Sequence, residues 1–227
     1  GEPLIYPALE ITEVKNPGVP RTTLKRLPEF DLCIFVSRNA VEFALSLHAG
    51  MIPTLSTMET FAVGEATGQR LIAAGVKQPL WPAVDYSSEG LLGLAELQSK
   101  RIDGRRALVV RGEGGRETLA DGLRERGAMV EYVEVYRRVR TLPNLGTLQK
   151  SPPDIIIATS AGVLDSLVET FIDAASLLSK PLVVPGQRLR VHAMRCGFSG
   201  PIVSAATAGE GDLVAAALAW VDQQTCR

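Results

Sequence analysis

Tyr136 stands in "EVYRRVR", between acidic and basic neighbours, in a chain that holds only four tyrosines. A phenol titrates near ~10, so at neutral pH it stays protonated and donates a hydrogen bond or a proton to a departing oxygen. The residues alone leave two readings open: a strand tyrosine packed against its neighbours, or a hydroxyl that takes part in chemistry. A second set of candidates lies in turns that follow short apolar runs. They are "SRNA" with Ser37 and Asn39, "GEAT" with Gly64 and Thr67, "DYSSEG" at 85–90, "RGEGGR" with Arg111, Gly112 and Arg116, "TSAG" with Thr159, Ser160 and Gly162, "PGQR" with Gly186 and Arg188, and "ATAGEG" at 206–211. Nearly all are small, hydroxylated or glycine-containing, which lets backbone N–H groups approach an anion closely. The two arginines of "RGEGGR" add charge for a carboxylate or phosphate. That turn resembles GxGxxG only loosely, because the third glycine is not at the required spacing. For any single turn, plain capping of a helix explains the Ser, Thr or Asp equally well.

Other chemistries find no support. The chain has no GxSxG, no HExxH, no Walker lysine motif and no carboxylate pair at functional spacing. Cys33, Cys196 and Cys226 are odd in number and widely spaced, and Cys33 sits inside the apolar run "DLCIFV" as a buried small hydrophobe. His48 and His192 lie far apart on predicted helices and read as surface or packing residues, so no metal is expected. The net charge of -1 gives no global attraction for nucleic acid or an anionic membrane. No apolar run reaches the ~18 residues that a bilayer span requires. The opening "GEPLIYPALEI" has neither a charged nor an apolar leader region, and the sparse cysteines, with no disulfide framework expected, make the cytoplasm the expected compartment. An enzyme with this inventory works by positioning and electrostatics.

The elements that must hold these turns repeat along the chain. "DLCIFVSRNAVEFAL" is similar to "DIIIATSAGVLDSLV", "TFAVGEATGQRLIAAGV" to "LVVPGQRLRVHAMRCGF", and "VDYSSEGLLGLAEL" to "SAATAGEGDLVAAAL". "GEPLIYPALEITEV" matches "GAMVEYVEVYRRVR", and all four pairs share an offset of about 120–126 residues. Each unit alternates a short strand, apolar on both faces, with a helix, the signature of parallel sheets covered on both sides. Glycines at 75, 127 and 197 mark helix ends. "RRALVVRGEGGRETLADGLRERG" alone has no counterpart, which would have to precede Gly1; one strand and one helix are expected to be missing there. The phase of the repeat predicts lobes at 15–129 and 141–227, with connecting strands at 4–14 and 130–140 that pair as a bridge.

Taken together, "FVSRNAVEFAL", "AVGEATGQRL", "VRGEGGRETLADGLRERGAMVEYVEVYRR", "TSAGVLDSL" and "SAATAGEGDLVAAAL" resemble the uroporphyrinogen-III synthase family over essentially the whole chain. The resemblance implies an α/β fold of two flavodoxin-like parallel-sheet lobes, built from a permuted internal repeat and joined by a two-stranded β bridge. It implies a lyase that closes hydroxymethylbilane, a linear polycarboxylate tetrapyrrole, with loss of water and inversion of the terminal ring through a spirocyclic intermediate. No cofactor is implied, and the protein is expected to be a monomer that receives its substrate by transient hand-over from hydroxymethylbilane synthase. Tyr136 falls on the family tyrosine held to help the hydroxyl depart, and the phenol is expected to point into the cleft between lobes. Ser37, Asn39, Gly64 and Thr67 match substrate-facing turns of one lobe, and Thr159, Ser160 and Gly162 those of the other. Arg111, Gly112 and Arg116 are expected to meet substrate as well. Gly186 and Arg188 lie where the family often shows a hydroxyl residue, so Arg188 is expected to meet a carboxylate instead. A two-lobed ligand-binding module, or a phosphate enzyme built on "RGEGGR", are the competing readings.

Overall fold

The structure is a computed structural model that describes residues 2–5, 7–141, 153–170 and 174–225. Two compact units are present: Ile11–Arg138, and Gly1–Glu10 together with Val139–Arg227.

The first unit contains strand β1 (Leu9–Glu13), which begins just ahead of it, then α1 (Gly18–Lys25), β2 (Leu32–Phe35), α2 (Arg38–Leu47), α3 (Ile52–Leu55), β3 (Glu59–Ala62) and α4 (Glu65–Ala73). It continues with α5 (Ser88–Leu92), α6 (Ser99–Ile102), β4 (Arg106–Gly112), α7 (Thr118–Glu125) and β5 (Met129–Arg140). The five strands form one sheet in the order β1-β5-β4-β2-β3, and β5, β4, β2 and β3 run parallel. Alternation sorts their side chains into two apolar layers. Cys33, Phe35, Leu108, Val110, Val133 and Val135 pack with Leu24, Ala40, Val41, Ala44 and Leu71. Leu32, Ile34, Ala107 and Val109 pack with Leu91, Leu92, Leu119 and Leu123. Every residue of β2 is buried, which is why its sequence is apolar without interruption.

After β2 the chain runs to α2 and then to β3; after β4 it runs through α7 to β5, on the other side. The strand order therefore reverses between β2 and β4, and the turns that open a crevice there are the ones beginning at Ser37 and Gly112. Local chemistry fixes the ends of these elements. Ser37 caps α2, its Oγ accepting the Ala40 N–H at 3.1 Å. Gly127 ends α7 with φ +88°, and a Cβ there would stand 2.0 Å from an Asp103 carboxylate oxygen.

The second unit contains β6 (Ile156–Ile157), α8 (Ala161–Thr170), α9 (Ala174–Leu178), β7 (Leu182–Pro185), α10 (Gly186–Arg195), β8 (Ile202–Ala205) and α11 (Glu210–Thr225). Its parallel sheet has the order β6-β7-β8. Leu164, Leu167, Leu182, Val184, Leu189 and Ala193 form one layer, and Val183, Ala205 and Leu213 the other. The buried Ser166 hydroxyl donates to the Ala8 carbonyl at 3.1 Å and ties the first residues of the chain to α8.

Within the segments expected at 4–14 and 130–140, Leu9–Glu13 and Met129–Arg140 form β1 and β5, neighbours at one edge of the five-stranded sheet. The units divide inside these strands, at Glu10/Ile11 and Arg138/Val139, whereas the repeat phase predicts divisions near 15, 129 and 141. Register explains the difference: β5 pairs with β4 from Met129 as far as Tyr136, so most of it belongs to the first sheet. No described helix is long and apolar enough to cross a membrane.

Candidate active site

A pocket of about 590 Å³ opens at the carboxyl ends of β2 and β3, lined by Val36, Ser37, Arg38, Asn39, Glu42, Val63, Gly64, Glu65, Ala66, Thr67 and Tyr86. Two helices begin at its wall. Gly64, at the N-cap of α4, has no side chain with which to cap it. The N–H groups of Glu65 and Ala66, like those at the start of α2, precede the first turn of helical hydrogen bonds. Such ends carry partial positive charge and bind anions. The side chains of Arg38, Asn39 and Thr67 make no hydrogen bond or ion pair among the described residues, so three polar groups are available to a ligand. The two carboxylates in the wall are already engaged: Glu42 pairs with Arg70 at 3.3 Å, and Glu65 accepts from Tyr86 at 3.0 Å.

Tyr136 lies behind this pocket. It is 2% exposed, and its hydroxyl is 3.1 Å from Ser37 Oγ. A β-bulge aims it there. Arg111 pairs with Glu134 and Gly112 with Tyr136, so one residue of β4 is set against two of β5. Strict alternation would send Tyr136 to the face opposite Val133 and Val135. With the bulge, all three share one layer. The ring packs 5.8 Å from Phe43, with the Arg138 guanidinium 5.8 Å from its centroid. Gly112 is the floor beneath the ring: a Cβ there would lie 2.5 Å from the Tyr136 Cε2 and Cζ atoms. Its lack of a side chain serves this aromatic contact, and it is the last residue of β4 to pair with β5.

The geometry at Ser37 restricts its one proton. Ser37 Oγ accepts the Ala40 N–H, and the Tyr136 hydroxyl lies 3.1 Å away, a contact in which either oxygen can donate. When Tyr136 is the donor, both Ser37 lone pairs are filled and the serine hydrogen faces the pocket.

Arg111 is committed to its own loop. Its side chain is 10% exposed. Nε and one terminal nitrogen donate to Glu134, and the other terminal nitrogen donates to Glu117 and to the carbonyls of Gly115 and Arg116. The guanidinium also stacks 3.8 Å from the Tyr132 ring centroid. Burial works against its charge, but the hydrogen bonds to Glu117 and Glu134 outweigh that and hold it more firmly protonated than an ordinary arginine. Burial and the hydrogen bond to Glu117 push the Tyr132 phenol up to about 12. Glu117 is held below the usual carboxylate value by hydrogen bonds from Tyr132 and Arg111. Its contribution is therefore complete above the ordinary carboxylate range and fades as pH falls through the lowered value. Arg111→Met is expected to lower stability by about 1–3 kcal/mol in urea unfolding, the range for lost hydrogen bonds to charged groups. The half-exposed carboxylates left behind find water, which keeps the loss below that of a fully buried pair. Arg116, by contrast, is exposed.

In the second unit Thr159 and Ser160 are exposed at the carboxyl end of β6. Ser160 Oγ accepts the Val163 N–H at 3.4 Å and caps α8. Gly162 packs on Leu9, to whose Cδ1 a Cβ would stand at 3.2 Å. Gly186 opens α10 after β7, and Arg188 is exposed in its first turn. The structure thus brings Ser37, Asn39, Gly64 and Thr67 to one pocket with Tyr136 behind it. Arg111 and Gly112 hold its surroundings, and the second-unit turns lie at the ends of their own strands. Arg38 and Tyr86 were not singled out, although they lie inside the candidate turns "SRNA" and "DYSSEG"; that these two turns meet at one pocket emerges only on folding.

Known proteins are similar to this chain in sequence and in fold. A family model described as uroporphyrinogen-III synthase HemD matches residues 1–215. The uroporphyrinogen-III synthase of Escherichia coli is 32% identical over 201 residues, covering 85% of this chain and 81% of that protein. That of Proteus mirabilis is 33% identical over 134 residues, 59% of this chain and 66% of its own. Among solved structures, the Helicobacter pylori enzyme matches with a TM-score of 0.68 at 18% identity, covering 94% of this chain and 91% of that one. A mutant Thermus thermophilus enzyme matches with 0.65 at 18% identity, covering 99% and 90%. At such identity the solved structures speak for the fold.

Proposed function

The chain belongs to the uroporphyrinogen-III synthase family, and we propose that the pocket of its first unit is where the hydroxyl of hydroxymethylbilane departs. The family's reaction closes this linear tetrapyrrole to uroporphyrinogen III, with loss of water and inversion of the terminal ring. The observation that carries the proposal is the convergence, on one pocket, of two helix N-termini, the side chains of Arg38, Asn39 and Thr67, which have no partner among the described residues, and the Ser37 hydroxyl in contact with Tyr136.

The groups take distinct tasks. Helix ends and Arg38 hold substrate carboxylates, with Asn39 and Thr67 fixing their orientation and Gly64 allowing close approach. The Ser37 hydroxyl donates a hydrogen bond to the departing oxygen as its bond to the methylene carbon breaks; the adjacent pyrrole nitrogen spreads the positive charge and gives up its proton, so that hydroxide leaves as water. Tyr136 acts behind Ser37 by keeping the serine proton aimed forward, with Gly112 and Arg111 supporting the ring and its strand. Arg116, Thr159, Ser160, Gly162, Gly186 and Arg188 take further carboxylates of the chain. Holding both ends of a flexible polyanion favours the inverted product over spontaneous closure. The chain acts as a monomer in the cytoplasm, on substrate delivered by hydroxymethylbilane synthase.

The test is product identity. Incubated with hydroxymethylbilane, the protein is expected to yield the III isomer. Only the uninverted I isomer, formed at the spontaneous rate, would overturn the proposal.

A further inference from the structure

Three potential metal ligands that are dispersed in the sequence meet on the second unit. Asp165 comes from α8, and His192 and Cys196 from α10 and its first following residue. Cys196 N–H still donates to the His192 carbonyl at 2.9 Å, so the two side chains are one helical turn apart on one side of the helix. His192 Nε2 lies 2.7 Å and Cys196 Sγ 3.5 Å from the same oxygen, Asp165 Oδ1. The three ligand atoms all fall within 4.8 Å of one another. A packing contact between two helices needs only the Asp165–His192 pair. Here a thiol is directed at the same carboxylate oxygen, although the chain has only two histidines and three cysteines.

We propose that Asp165, His192 and Cys196 form a binding site for a divalent transition cation, with Zn²⁺ the best match. One carboxylate, one imidazole and one thiolate are the donor types zinc accepts. Tetrahedral zinc, with bonds of about 2.0–2.3 Å, separates its ligand atoms by roughly 3.3–3.7 Å. The 3.5 Å Asp–Cys separation already matches that spacing, and the 2.7 Å Asp–His contact must open slightly to admit the ion. The metal displaces the thiol proton into solvent and takes the imidazole in its neutral form. With His192 and Asp165 side chains 34% and 36% exposed, the site has an entry path and a fourth position for water. Hard cations such as Mg²⁺ are disfavoured by the sulfur. A bound ion clamps α8 to α10, the helices that begin at the Ser160 and Gly186 turns, and so stiffens that half of the unit independently of the reaction.

Co²⁺ titration of the reduced full chain tests this. One equivalent is expected to saturate a thiolate-to-cobalt charge-transfer band in the near ultraviolet, with visible bands of tetrahedral intensity, and Zn²⁺ is expected to bleach both. Cys196→Ser is expected to abolish the charge-transfer band, and His192→Ala to remove saturation at one equivalent. Cys226→Ser, a position outside the described residues, is expected to leave the spectrum unchanged. Metal-free circular dichroism and thermal unfolding confirm that each variant is folded, and Asp165→Asn, expected to weaken Co²⁺ binding, replaces any variant that is not. Absence of the band in the parent protein, or its persistence in folded Cys196→Ser, would overturn the proposal.

Discussion

Tyr136→Phe is expected to slow formation of uroporphyrinogen III by about tenfold to a hundredfold, with KM changed by less than about threefold, a pattern that marks loss of transition-state interaction rather than binding. The loss stays below that for deletion of a direct donor, because the phenol is 2% exposed and reaches the pocket through Ser37. Without the phenol, Ser37 keeps its hydroxyl but loses the constraint on where its proton points. Two further readouts separate this role from structural support. The share of I isomer is expected to rise, since spontaneous closure competes with a slower enzyme. Tyr136→Phe added to Ser37→Ala is expected to cost little more than Ser37→Ala alone, because both act on one proton. Independent, multiplicative losses would show that Tyr136 acts by another route.

Gly112→Ala is expected to be more damaging than its single methyl suggests. The new Cβ would stand 2.5 Å from two atoms of the Tyr136 ring. That ring sits in the buried layer with Val133, Val135 and Phe35, so any shift must disturb its neighbours. Overpacking of this kind lowers stability by about 1–3 kcal/mol. The ring must also shift, taking its hydroxyl out of reach of Ser37, so turnover is expected to fall at least as far as in Tyr136→Phe. Urea unfolding combined with the isomer assay checks both effects. A variant with parent stability and turnover would mean that the ring relaxes freely and that the aromatic contact is unimportant.

Much of the layout could be read before folding, because it rests on local patterns. The pairing of "DLCIFVSRNAVEFAL" with "DIIIATSAGVLDSLV" corresponds to β2–α2 and β6–α8, in each of which a strand meets a serine-capped helix. The pairing of "TFAVGEATG" with "LVVPGQR" corresponds to β3–α4 and β7–α10 in the same way. The pocket turns at Ser37 and Gly64 followed from the rule that parallel sheets bind at the carboxyl ends of their strands. Three matters were not legible. The bulge at Gly112 breaks the two-residue period, so the face of Tyr136 could not be counted from Val133. The partners of Arg111 depend on how a glycine loop folds back, and two arginines in "RGEGGR" look alike although one is clasped and the other exposed. Asp165 and His192 are 27 residues apart and belong to different helices; only the i,i+4 step from His192 to Cys196 was visible.

The division of the chain into units has a consequence for biosynthesis. All five strands of the larger sheet lie between Leu9 and Arg140, so its two apolar layers can close while later residues are still inside the ribosome. The smaller unit cannot do the same. Its opening segment, with Ala8, must wait for Ser166, a partner 158 residues downstream, and the last strand of its sheet, Ile202–Ala205, comes later still. That closure is made less costly because the intervening stretch has already condensed, which shortens the effective loop to be closed. Vectorial synthesis is thus expected to make the discontinuous unit the later of the two to close.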